Sequence, residues 1–142
     1  MKLITYFLCP VVLLFIQGCE GKIITEADIQ SDTIKMELTF SEIQTEVFTL
    51  RCATSGCHTG LNPQQGLNLS SGMAYSNIFN ITSTEMPSSK LIFPGNSADS
   101  YLIRKIRGQN ISGSRMPRGR APLSNALIDA MAEWVDRGAS NN

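Results

Sequence analysis

Apolar residues recur at helical spacing in three stretches of the chain. In the first, Ile43, Val47, Phe48 and Leu50 form the stripe of an amphipathic helix that runs directly into Arg51 and Cys52. Ser41 followed by Gln44 has the S-x-x-Q form of a capping box, which sets the expected start. The second stretch is ADSYLIRKIR, with Asn96 or Ser97 as cap and Gly108 as stop. Tyr101, Leu102 and Ile106 would share its inward face, with Arg104, Lys105 and Arg107 outside or at its edge. The third starts at Ser124 and ends before Gly138, where Leu127, Met131, Trp134 and Val135 fall at i, i+4, i+7 and i+8. A shorter helix is expected from Met73 to Phe79. No convincing strand interrupts these helices, so the expected class is all-α.

Between the helices lie long loops rich in Gly, Asn, Pro and Ser: TGLNPQQGLNLSSG, NITSTEMPSSKLIFPGN and GQNISGSRMPRGRAPL. Short helices joined by such loops have little area to bury against one another. Something large and apolar is therefore expected to fill the middle of the domain, which spans residues 40–142.

The N-terminus follows another pattern. Lys2 precedes an apolar run from Leu3 to Ile16, interrupted by Pro10 and shorter than the roughly 20 residues of a membrane-spanning helix. It has signal-peptide length, which makes residues 1–18 an expected leader. The leader ends in Ile16-Gln17-Gly18-Cys19, which resembles the lipobox of bacterial lipoproteins, although Gln17 is larger than the residue usual there. That resemblance implies cleavage before Cys19, a lipid on its thiol, and an exported protein anchored to a bacterial membrane, facing the periplasm or the cell exterior. An ordinary signal peptide cut near Gly18 would leave Cys19 free. Residues 19–39 are mixed and acidic and suit a tether. With 142 residues there is room for one domain plus the leader, and 42% hydrophobic against 17% charged residues fits a folded chain. A formal net charge of zero gives no argument for binding nucleic acid.

The leader changes the cysteine arithmetic. On that reading Cys9 would be discarded and Cys19 lipidated, which leaves Cys52 and Cys57 as a pair in CATSGCH, followed by His58, the one histidine of the chain. A structural zinc site wants four ligands, and neither another histidine nor a third free cysteine exists to complete it. Nucleophilic catalysis needs a base oriented by a third group, whereas His58 is simply the next residue along. A disulfide suits an exported pair, but it gives no reason for the histidine to fall there. Covalent haem attachment accounts for all three residues, its usual signature being C-x-x-C-H. Here the spacing is C-x₄-C-H, so two extra residues must bulge out, which small side chains and Gly56 permit. The heptad resembles the C-x₄-C-H sites of low-potential multihaem cytochromes.

The order of capped helix, Cys-His motif, loops, middle helix, loop Met-Pro and aromatic-bearing last helix resembles a class I monohaem cytochrome c. More narrowly, FSEIQTEVFTLRCATSGCH, PGNSADSYLIRKI, SRMPRGRAPLS and AEWVDRGA are similar to segments of the cytochrome c-like domains of exported bacterial proteins, over about residues 40 to 139. The resemblance implies a bundle wrapped around one haem c, with thioethers to Cys52 and Cys57 and His58 as one axial ligand. The other would be a loop methionine upstream of the last helix. Met116 in GSRMPRG meets that description and has no obvious core role; Met86 in TEMPSSK is the rival. Met73 and Met131, on helices, are expected in the core. The first and last helices would cross through Phe48 and Trp134.

Charge is unevenly spread. No acidic residue lies between Asp99 and Asp129, while Arg104, Lys105, Arg107, Arg115, Arg118 and Arg120 all do. Such a face could steer an acidic redox partner, or be a solvated loop surface. Arg104, Arg115, Arg118 and Arg120 are candidates for contacts to a partner or to haem propionates. The implied function is one-electron transfer by a membrane-anchored carrier, not catalysis. Two alternatives stay open: a disulfide-stapled interaction domain without haem, and a haem sensor or peroxidase with an open axial site.

Overall fold

Thr39 starts the first helix, α1, which covers Phe40–Glu42 and continues without a break as a π-helix over Ile43–Cys52. The computed structural model describes residues 36–142. The expected leader (1–18), the lipid site Cys19 and most of the tether lie outside the described residues. The last two tether residues belong to the fold instead, since Leu38 is buried in the core and Thr39 is the cap.

That cap corrects the expected start. The capping box is formed by Thr39 and Glu42, not by Ser41 and Gln44: the Glu42 amide donates to Thr39 Oγ1 at 3.2 Å, and the Thr39 amide donates to Glu42 Oε2 at 2.8 Å. These bonds hold the Glu42 carboxyl below its ordinary value, so its share of the cap fades as pH falls. Gln44 is buried and donates to the Leu69 carbonyl at 3.1 Å. Two further amides of the first turn are met by the C-terminal tail: Phe40 donates to Asn142 Oδ1 at 2.9 Å and Ser41 to the Asn142 carbonyl at 3.0 Å.

The π register explains which side chains point inward. Two α-turns return to the same face at the seventh residue, which from Ile43 is Leu50. A π-turn closes on the fifth residue rather than the fourth, so two such turns return near the ninth, which is Cys52. Ile43, Val47 and Phe48 are accordingly buried, Cys52 packs against them, and Leu50, expected inside, is 57% exposed.

After a 3₁₀ turn at Gln64–Gly66 come α2 (Ala74–Ile78), α3 (Tyr101–Arg107) and α4 (Asn125–Asp136). The described residues form helices and loops with no strand. Three isolated bridges, Phe79 with Ile92, Thr82 with Lys90 and Lys90 with Ser100, tie the long loop before α3 together. α2 is a residue shorter at each end than expected, and Met73, expected in the core, is exposed. α3 starts several residues later than expected, because the polar residues before it have other partners. Ser97 donates from its amide and hydroxyl to the Asp136 carboxylate at 2.7 and 2.8 Å, and Ser100 Oγ donates to the Asn96 carbonyl at 2.8 Å. Gly108 ends α3 in the left-handed region, φ 76°.

α4 follows the expected pattern. Ser124 Oγ accepts from the Leu127 amide, and Ile128, Met131, Trp134 and Val135 are buried with Leu127 at the edge. α3 packs on α4. The aromatic contact between the first and last helices is made by Phe40, whose ring lies 5.8 Å from that of Trp134; Phe48 instead meets Phe40 edge-on at 6.3 Å. The earlier cap is the reason, since it makes Phe40 the first helical residue and buries it. Among the described residues no helix is long and apolar enough to cross a membrane.

The two capping assignments separate cleanly. Thr39→Ala should cost about 1 kcal/mol of unfolding free energy, a melting shift of about 4–8 °C for a domain of this size. Ser41→Ala should change little. The reverse ranking by thermal denaturation would reinstate the Ser41 cap.

Candidate functional site

Two backbone hydrogen bonds fold CATSGCH into a tight turn. The Cys57 amide donates to the Thr54 carbonyl at 2.9 Å and the His58 amide to the Cys52 carbonyl at 3.1 Å, with Gly56 at φ 75°. That left-handed residue is what lets the four residues between the cysteines loop out and return the chain on itself. Both cysteines are free and half-buried. His58 Nδ1 lies 3.2 Å from the Leu67 carbonyl. A carbonyl only accepts, so Nδ1 carries a proton, and in the neutral ring the lone pair then sits on Nε2.

Cys52, Cys57 and His58 all line one cavity of about 650 Å³. Its remaining wall is mostly apolar. Val47 and Phe48 come from the first helix, Leu67, Leu69 and Leu91 from the loops, Leu102 and Ile106 from α3, and Met131 from α4. Met116 lines it too, from the loop between α3 and α4, half-buried and packed on the core. Met86 is not among the lining residues. Two chain segments far apart in sequence, 52–58 and the loop at Met116, therefore bring two thiols, an imidazole and a thioether to one mostly apolar space.

The arginines divide. Arg118 and Arg120 line the cavity, and Arg120 also reaches the Leu50 carbonyl and Thr54 Oγ1, each at 3.4 Å. Arg104 and Arg115 do not line it. Arg104 donates to Ser89 Oγ, and its guanidinium lies 5.5 Å from the centre of the Tyr101 ring. Arg115 Nε donates to the Ile106 carbonyl at 2.7 Å, meeting an acceptor at the end of α3. Arg107 pairs with Asp129 at 2.9 Å on the surface, a contact of small energetic weight. Lys105, expected outside or at the helix edge, is buried and paired with Glu85. The basic face at the cavity is thus narrower than the sequence suggests: Arg118 and Arg120, joined by Arg51.

Arg51, Glu85, Tyr101 and Lys105 line the cavity as well, unanticipated as site residues. Arg51 could have been found as the neighbour of Cys52. Glu85 and Lys105 have no such signal, because their pairing depends on how the loop before α3 folds back on that helix. Among the described residues, no three His, Cys, Asp or Glu side chains converge as a metal-ligating cluster.

Burial pushes the Cys52 thiol up to about 11; the neighbouring Cys57 adds to this, while Arg120 and Arg51 partly oppose it. The thiol is therefore neutral near pH 7, which is unlike an activated nucleophile. Because the folded chain holds a proton that the unfolded chain releases from the ordinary 9.0 upward, stability falls as pH climbs from there toward about 11. In the protein without any modification of its cysteines, alkylation of Cys52 should accelerate only as pH approaches that value. A rate already at its plateau at about pH 8, below the usual thiol value, would contradict the burial.

Comparison with protein-family models, with curated proteins and with solved structures gives no match, so the case for function rests on the residues themselves.

Proposed function

We propose that residues 40–142 form a monohaem c-type cytochrome domain that carries single electrons, anchored to a bacterial membrane through a lipid on Cys19. The observation that carries this reading is the convergence of Cys52, Cys57, His58 and Met116 on one apolar cavity of about 650 Å³. That volume falls in the range of cofactor pockets, about 300–1,000 Å³. The donor set also fits the group. Two thiols flank the turn that ends in the histidine, and a thioether sulfur comes from a separate loop. The rival Met86 stays off the wall.

Cys52 and Cys57 would hold the haem covalently, and His58 and Met116 would be the side chains that ligate its iron. Bound there, it supplies one iron that takes up and releases a single electron, at a potential that methionine ligation raises. The chain's own contribution is preparation. The bond from His58 Nδ1 to the Leu67 carbonyl fixes the ring and leaves Nε2 as the ligating nitrogen. Leucine, isoleucine, valine and phenylalanine side chains keep water from much of the wall, and a low-dielectric surround is one of the levers on potential. Arg51, Arg118 and Arg120 put positive charge at the cavity, suited to haem propionates or to an acidic redox partner. Neither role calls for a substrate at the metal, so the reading is a carrier and not an enzyme.

Expression in a host that attaches haem c, followed by pyridine haemochrome analysis, should give about one covalent haem per chain. None would end the proposal in favour of the interaction-domain alternative. In the ferric protein, Met116→Ala should abolish the long-wavelength methionine–iron absorption band while leaving the haem attached. A band that survives this substitution would remove Met116 as ligand and bring Met86 back. A wild-type protein with no such band would favour the open-site sensor or peroxidase.

A further inference from the structure

Among the described residues, Lys105 is the one charged side chain that is buried, at 8% exposure. Its Nζ lies 2.5 Å from Glu85 Oε2 and donates to the Ser112 carbonyl at 2.6 Å. The Tyr101 hydroxyl joins the cluster, donating to Glu85 Oε2 at 2.9 Å and accepting from the Ser112 amide at 3.1 Å. One turn on, the Lys105 carbonyl accepts from the Met116 amide at 3.1 Å. Lys105 therefore holds the segment 112–116 at both ends, from its side chain and from its backbone. Through Glu85 it also ties in the loop before α3, which lines the same cavity.

Few other contacts hold the segment: Arg115 Nε donates to the Ile106 carbonyl at 2.7 Å, and Met116 packs on the core. Ser112, Gly113, Ser114 and Arg115 are exposed, and Met116 is half-buried. Apart from Met116 itself, no apolar side chain of 112–116 anchors it to the core, so its position depends on polar contacts. A buried ion pair is a weak source of net stability, because desolvation offsets the attraction; its best-attested use is to specify one arrangement over others. Here the arrangement specified is that of the methionine loop.

We infer that the Lys105–Glu85–Tyr101 cluster is a strap that sets the position of Met116 in the cavity wall, with Lys105 as a positioning residue. When the strap is closed, segment 112–116 is fixed and Met116 stays at the wall. When it is broken, the segment swings away from α3. On the function proposed above, the metal then loses its second ligand and the carrier becomes an open-site haem protein. The strap itself does not rest on that function; only its consequence for the metal does.

Lys105→Met keeps much of the buried stem and removes the charge, and Tyr101→Phe removes only a hydroxyl. In the full chain, amide hydrogen exchange at Ser112 and Met116 should accelerate about tenfold in each variant, the cost of a lost charge-assisted or buried bond. Exchange at Ile128 and Met131 in α4 should stay unchanged. In haem-loaded protein the methionine–iron band should weaken in both variants while the haem stays attached. Exchange at Ser112 and Met116 equal to wild type overturns the strap, and so does an acceleration spread equally into α4. Faster exchange with an undiminished band overturns the positioning of Met116. Should Lys105→Met fail to fold, Tyr101→Phe carries the same comparison. If no haem attaches at all, the proposed function falls, and the exchange measurement still decides the strap.

Discussion

The register of the first helix is the constraint on which the site depends. A cysteine at position 52 is useful only if it faces inward, and in an α-helix that begins at Thr39 it would not. With Ile43 buried, an α period turns Leu50 to the core and leaves Cys52 on the opposite side. The wider π-turns reverse this, exposing Leu50 and packing Cys52 on the core. Thr45 sits where the register changes, and its hydroxyl donates to the Ser41 carbonyl at 3.0 Å, taking up an acceptor of the first turn. Helical irregularities of this kind are frequent at functional sites, and here the irregularity has an identifiable product. It delivers the first cysteine to the start of the turn that brings Cys57 and His58 alongside.

From that point the rest of the domain reads as a wall around a space. α3 and α4 pack on each other, α1 meets α4 through Phe40 and Trp134, and none of these contacts fills the cavity of about 650 Å³. The apolar side chains of such a wall gain dispersion contacts from an apolar group packed on them. A large apolar occupant would supply those contacts, which agrees with the haem proposed for it and with the long loops. It also explains why so small a set of helices is enough. A chain that binds a large group does not have to supply all of its own core.

Much of this was legible from the residues. The all-α class and α4 with its Ser124 cap follow from spacing, and CATSGCH stands out because the one histidine follows its second cysteine; Met116 stands out only through the resemblance to class I cytochromes c. What the sequence hid has physical reasons. The capping box was misplaced because Ser41–Gln44 and Thr39–Glu42 both have acceptable chemistry, and only the burial of Phe40 and the tail at Asn142 choose between them. Leu50 was misplaced because periodicity arguments assume 3.6 residues per turn. Ser97 and Asn96 look like helix caps, and one of them serves the carboxylate of Asp136 from the far end of the chain. Lys105 was expected at the surface because a lone lysine on a helix usually lies there, and its partner Glu85 is in a loop that no local pattern connects to it.

The basic run between Asp99 and Asp129 shows how a charge pattern can mislead about purpose. Read along the sequence it is one electropositive face. In the fold its members separate into different tasks. Lys105 is neutralised in the core, Arg107 pairs with Asp129, and Arg104 and Arg115 spend their donors on Ser89 and on the end of α3. Arg118 and Arg120 are the arginines of the run that line the cavity, where Arg51 joins them from the first helix. A loop of Gly, Ser and Pro has few apolar side chains to bury, so long cationic side chains with many donors are an effective way to fix it. Arg115 does this for the methionine loop, fixing it to the end of α3 through the Ile106 carbonyl. Arg120 does the same from the far side of the loop, reaching the Leu50 carbonyl and Thr54 Oγ1 at 3.4 Å.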